Sequence, residues 1–144
     1  MLPVLRAALR IGWASQMTPA SAEIRWHQKR VDLGLVAPDG LLVVELKVKD
    51  WRRAMEQAFV NRWISRESWV ALWHESITSA TYEAAREMGV GVLIVTRSTA
   101  YPLVAPGPPA REGVSTIQDQ IFTRGTRVRD LLGHALGTHR AAFA

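Results

Sequence analysis

The stretch VVELKVKDW, residues 43–51, sets Glu45 and Lys47 two positions apart among Val and Leu, a composition that reads as β-strand. Side chains alternate along a strand, so the carboxylate and the ammonium share one face. A second carboxylate, Asp32, is separated from Glu45 by twelve residues and stands in a second apolar alternating stretch. Two carboxylates and an amine suit a hard divalent cation beside a phosphate. Mg2+ takes one or two carboxylates, keeps several waters, and is commonly completed by substrate phosphate oxygens. The chain has no cysteine, which excludes disulfides and thiolate metal sites. The competing account of Asp32, Glu45 and Lys47 is a solvated face with a cross-strand charge ladder, worth little per pair.

Other chemistry-bearing residues are poorly arranged. His27 and His74 have no partner at metal-ligand spacing, and His134 and His139 lie in a basic tail. Ser65, Ser68, Ser76 and Ser79 lack a His–Asp arrangement, and Gly89 and Gly91 read as a helix end and a strand start, not a phosphate-cradling loop.

The elements that must hold the acids follow from periodicity. A first helix is expected over Leu2 to about Trp13, ended by Thr18-Pro19. Three strands follow, Glu23–His27, Arg30–Ala37 and Leu41–Lys49, with turns near Gln28-Lys29 and at Pro38-Asp39-Gly40. Apolar residues at Trp51, Ala54, Met55, Ala58, Phe59 and Trp63 have the spacing of one helix face, with Asp50 placed to cap it. Trp69–Trp73 reads as a fourth strand, Ser79–Met88 as a helix stopped by Gly89, and Val90–Val95 as a fifth strand parallel to the fourth. Pro102–Pro109 is a proline-rich loop, and the tail from about residue 114 is helical with interruptions at Gly125 and Gly133.

If Asp39-Gly40 forms a two-residue loop, Pro38 faces Leu41, Lys47 faces Asp32 and Glu45 faces Gly34. Val31, Leu33, Leu35 and Ala37 then share an apolar face with Leu42, Val44, Leu46 and Val48, joined by Ile24 and Trp26 of the first strand. The other face carries two rows: Glu23, Gly34, Glu45 and Arg25, Asp32, Lys47. Asp32 and Glu45 become diagonal neighbours, roughly 7–8 Å apart at their β-carbons, close enough to share one ion.

The 144 residues, 48% hydrophobic, fit one domain. Lys plus Arg is 18 against 13 for Asp plus Glu, a formal charge of +5, as phosphate binding or a GC-rich genome would produce. Lys29, Arg30, Lys49, Arg52, Arg53, Arg62 and Arg66 cluster near the acids in sequence and are expected to hold a phosphate backbone. The six tryptophans are read as core or dimer-interface residues. The opening MLPVLRAALRIGWA is too short to span a bilayer, and the expectation is a soluble, cytoplasmic protein without a membrane partner.

Asp32, a tight turn, Glu45-Leu46-Lys47 and a following helix together resemble the PD-(D/E)XK nuclease superfamily, over roughly Leu2 to Leu72. The resemblance implies an α/β fold with a restriction endonuclease-like core: a mixed central sheet, formed by a three-strand antiparallel meander plus parallel strands and flanked by helices. It implies that Asp32 and Glu45 coordinate Mg2+ or Mn2+, with the backbone carbonyl of Leu46 as a further ligand. Lys47 would orient or activate the attacking water. The implied activity is hydrolysis of phosphodiester bonds, in DNA; a domain this small needs two copies to cut both strands, so a homodimer is expected. The alternative is a non-catalytic module using the same fold to bind nucleic acid or a protein. Two departures stand out: Val31 occupies the family's proline position, and the first helix has no acidic residue, so Glu23 is the substitute ligand. On the helix after Lys47, some subfamilies place a glutamine that touches substrate or a metal-bound water, which implies that role for Gln57. Asn61 stands where a tyrosine is usual and is equally well read as part of a polar helix flank.

Overall fold

The computed structural model describes residues 1–26, 29–47, 49–110 and 116–143. His27, Gln28, Val48 and the expected start of the tail at residue 114 lie outside them. In chain order the elements are α1 (Leu2–Arg10), β1 (Ala20–Trp26), β2 (Lys29–Ala37), β3 (Gly40–Lys47), α2 (Trp51–Asn61) and β4 (Glu67–Trp73). A short 3-10 turn, His74–Ser76, leads to α3 (Ser79–Met88), β5 (Gly91–Val95), β6 (Ala100–Val104), α4 (Thr116–Arg124) and α5 (Val128–Phe143). The strands form one six-stranded sheet in the order β1-β2-β3-β4-β5-β6. β1, β2 and β3 are antiparallel, β4 and β5 continue parallel to β3, and β6 returns antiparallel. The described fold is thus α/β, a mixed sheet flanked by five helices.

Both faces of the sheet are covered. Leu33, Leu35, Leu42, Val44, Trp69, Ala71 and Leu93 pack against Val4, Leu5, Ala7 and Ala8 of α1 and Val128 of α5. The indole of Trp13 rests on that of Trp69, centroids 4.5 Å apart. On the opposite face Val70, Leu72 and Val92 bury Ala54, Met55 and Ala58 of α2 and Ala85 of α3, while Leu41 and Val43 meet Ile117 and Ile121 of α4.

Two features of the expected sheet are corrected. In both hairpins the partners are displaced by two residues. Ala37 pairs with Gly40 and Leu33 with Val44, which puts Pro38 and Asp39 in the turn. Proline favours the first central turn position, where its fixed φ is used and its missing N–H is not needed by the ladder. Likewise Trp26 pairs with Lys29. A displacement of two preserves which face each side chain takes but changes every neighbour, so Gly34 lies between Ser21 and Val43, not between Glu23 and Glu45. Gly34 is closely covered: a β-carbon there would stand 2.8 Å from Ile24 Cδ1 and 2.9 Å from Ile121 Cδ1. Second, Glu23 has a left-handed backbone, φ 52°, which interrupts the alternation of β1. Ile24, Trp26 and Val31, expected beside Leu33, instead pack with Leu41, Val43, Ile117 and Ile121.

Smaller differences have local causes. β6 was expected as loop because of Pro102, yet an edge strand accommodates a proline, and its pairing shifts register between Val92 and Leu93. Gly125, φ 69°, does end α4, whereas α5 runs through Gly133 without a break. Trp63 falls beyond the end of α2 and is 47% exposed, with its ring against Phe59, not in the core.

Candidate functional site

β2 and β3 stop exchanging ladder partners after Leu33 and Val44, and the site lies where they part. Extending the register by one residue sets Asp32 across from Glu45. In place of the next ladder bond, the Leu46 N–H donates to Asp32 Oδ2 at 2.9 Å. The side chain of Asp32 thereby takes over a main-chain donor and is held toward β3.

Glu45 is 2% exposed, between the β4 neighbour Val70 and the buried face of α2. Asn61 Nδ2 donates to Glu45 Oε1 at 2.9 Å. Burial pushes the Glu45 carboxyl up to about 8, and a hydrogen bond to Asp32 and the charge of Asp32 add to this, while the Asn61 bond and the charge of Lys47 oppose it. Lys47, half-buried, ends β3 on the same face, beside Leu72 of β4. The group sits toward the carboxyl end of the parallel strands β3 and β4, a common place for ligands in open α/β sheets, and Glu45 is met there by Asn61, the last residue of α2.

The structure brings together Asp32, Glu45, the main chain of Leu46 and Lys47. It does not bring Glu23 to them. Glu23 is exposed and lies 3.8 Å from Arg30, whose guanidinium is 3.7 Å from Asp32 Oδ1. The left-handed turn of the chain at Glu23 accounts for its departure from the expected row. Gln57 is half-buried on α2, one turn before Asn61, and its Oε1 is buried without a hydrogen-bond partner. Among the described residues there is no group of three or more His, Cys, Asp or Glu side chains spaced to hold a metal ion.

Asn61 is the residue that sequence reasoning misplaced. It belongs to the buried face of α2 together with Ala54, Met55 and Ala58. The signal was present: residues 54, 58 and 61 follow the i, i+4, i+7 spacing of one helix face. A polar side chain on an apolar stripe calls for a buried partner, and Glu45 is that partner. The end of α2 is fixed in turn by Ser65 Oγ, which donates to the Asn61 carbonyl at 2.6 Å, and by Ser68 Oγ, which donates to that of Ala58 at 2.5 Å.

The basic residues divide. Lys29, Lys49, Arg52 and Arg53 are exposed, with Arg52 stacked on Trp51 at 4.6 Å. Arg62 is instead committed to the fold, donating to the carbonyls of Met88 at 2.8 Å and Pro108 at 2.9 Å. Arg66 packs beside Gly40, at the far end of β3 from Glu45. Both leave the expected phosphate-binding cluster.

No family model matches the chain, and no curated protein matches it. Among solved structures it is similar to a protein of unknown function from Silicibacter pomeroyi, at 16% identity and a TM-score of 0.61, covering 96% of this chain and 86% of that one. The likeness is one of fold. A weaker similarity, at 14% identity and a TM-score of 0.35, is to SfsA from Pyrococcus furiosus in complex with Ca2+, covering 62% of this chain and 55% of that one. No described helix is long and apolar enough to cross a membrane.

Proposed function

We propose that this chain is a metal-dependent endonuclease of the PD-(D/E)XK type that hydrolyses phosphodiester bonds in DNA with Mg2+ or Mn2+ as cofactor. One observation carries the reading: the buried Glu45 is set against Asp32 where β2 and β3 part, with Lys47 next along the same face. Two adjacent carboxylates out of water are costly unless a cation compensates them. The donor set fits a hard divalent ion. Asp32 Oδ2 is engaged by the Leu46 N–H and Glu45 Oε1 by Asn61, and a cation bound by both carboxylates would take the place of the hydrogen bond between Glu45 and Asp32. Arg30, exposed and 3.7 Å from Asp32 Oδ1, is too long a contact to block that cation.

A bound divalent cation supplies Lewis-acid stabilisation of the phosphate charge and acidifies water. Asp32 and Glu45 fix its position from two strands. Lys47 adds a positive charge on the same face, where it stabilises the developing negative charge and orients the attacking water. Gln57 keeps a buried amide oxygen without a partner one helical turn from Asn61, suited to accepting a hydrogen bond from an enclosed water. Lys49, Arg52 and Arg53, exposed where β3 passes into α2, serve as backbone-phosphate contacts. Cutting both strands of a duplex requires two such sites, which a two-fold homodimer provides.

The test is a cleavage panel of plasmid, branched DNA and RNA, with and without Mg2+ or Mn2+. Glu45→Ala and Lys47→Ala are each expected to lower the metal-dependent rate by at least about 100-fold, with folding retained by circular dichroism. Full activity in both folded variants would end the proposal. Salt-sensitive, metal-independent binding without cleavage would mark the chain as a non-catalytic nucleic-acid-binding module instead.

A further inference from the structure

The Asn61–Glu45 hydrogen bond leaves one question open at this site: why a helix that otherwise buries alanine and methionine against the sheet should carry a carboxamide there. Asn61 is 4% exposed, and its Nδ2 stands 2.9 Å from Glu45 Oε1. Its backbone carbonyl is separately engaged by Ser65 Oγ, so the amide group is not needed to finish the helix. A carboxylate hydrogen-bonded at one oxygen has its plane and rotamer set, and the other oxygen is thereby aimed. The Leu46 N–H does the same to Asp32 from the opposite side. The two carboxylates are therefore oriented by different parts of the chain, one by the main chain of β3 and one by the far end of α2.

We infer that Asn61 is a positioning residue that, by donating to Glu45 Oε1, holds the carboxylate in the orientation that binds the divalent cation. The inference rests on the metal-dependent reading of this site. It also accounts for the two serines: Ser65 and Ser68 tie the last turn of α2 to the start of β4, so the amide is delivered from a fixed helix end. Asn61 touches neither water nor phosphate in this role, and its effect passes through Glu45.

The experiment is calorimetric titration of the metal-free protein with Mn2+ alone, on the wild type, Asn61→Ala, Asn61→Leu and Glu45→Ala. Thermal unfolding in EDTA is recorded for each. Asn61→Leu keeps the volume without the donor, so it reports on the hydrogen bond even if Asn61→Ala opens a cavity and unfolds. Loss of such an orienting partner commonly weakens metal binding by about 10- to 100-fold. The expected result is a loss of that size in the Asn61 variants, no measurable binding in Glu45→Ala, and DNA cleavage by the Asn61 variants that recovers as Mn2+ is raised. A residue with a purely structural role would lower the unfolding temperature in EDTA without moving Mn2+ affinity. Wild-type affinity in a folded Asn61→Leu, with binding lost in Glu45→Ala, overturns the inference and leaves the metal site standing. Absence of Mn2+ binding by the wild type overturns both.

Discussion

Glu45 is the residue on which stability and the proposed chemistry pull in opposite directions. Its carboxyl is pushed from the ordinary 4.5 to about 8, first by burial and then by Asp32. A carboxyl whose folded pKa is raised stabilises the fold in its protonated form. That contribution is complete below the unfolded value of 4.5 and is lost as pH rises through about 8. In EDTA, the unfolding temperature of the wild type should therefore fall between pH 5 and pH 9 more steeply than that of Glu45→Gln. At pH 9 the variant should unfold higher by on the order of 2–4 °C, the shift expected for about 1 kcal/mol in a chain of this size. Parallel pH profiles in scanning calorimetry would show that Glu45 is not the source. The same substitution should cost cation binding, because the amide cannot supply the charge.

At the scale of the element, α2 links the acids to the residues that serve them. It begins directly after β3 and ends at the amide that holds Glu45. Its first turn is capped by Asp50, whose side chain accepts from the Arg53 N–H at 3.4 Å while its own backbone is left-handed, φ 56°. The cap and the strain act in opposite senses. Asp50→Ala keeps the strain and loses the cap, and should destabilise by about 1–2 kcal/mol. Asp50→Gly loses the cap and relieves the strain, and should lie within about 0.5 kcal/mol of the wild type. Urea unfolding measures both. If Asp50→Gly proves the more destabilised, the backbone conformation at Asp50 is not strained as described.

For the whole molecule, the charge of +5 is less of a nucleic-acid footprint than the sequence order of its basic residues suggests. Arg62 joins the end of α2 to the end of α3 and the Pro108 segment, and Arg66 sits at the wrong end of the sheet. Arg62→Ala should lower stability by about 1–3 kcal/mol through two lost charge-assisted bonds and leave the salt dependence of the proposed DNA binding unchanged. Arg53→Ala should leave stability within about 0.5 kcal/mol and reduce the slope of log affinity against log salt by about one. Fluorescence anisotropy at several salt concentrations separates the two. The opposite assignment of effects would return Arg62 to the binding surface and remove Arg53.

The sequence alone was enough for the order of elements as far as β5 and for the side of the sheet that most of β2 and β3 face, but not for β6, nor for Ile24, Trp26 and Val31, which take the opposite face. Strand alternation and helix spacing are local properties, and they held for β2, β3, α2, β4 and α3 within a few residues. It also sufficed to bring Asp32, Glu45 and Lys47 together, because they flank one turn. The partners across that turn were not legible: a pattern of period two is unchanged by a shift of two residues, so hydrophobicity could not choose between Glu45 opposite Gly34 and Glu45 nearest Asp32. The turn at Pro38-Asp39 decided it. Nor could a local pattern show that Glu23 leaves the row through one left-handed residue, or that Arg62 turns to carbonyls more than twenty residues away. The partner of Asn61 lies sixteen residues back in the chain, and only the packing of α2 on β3 makes them neighbours. Local sequence sets how each segment repeats, whereas the meeting of one repeat with another depends on turns and packing, which act across the chain.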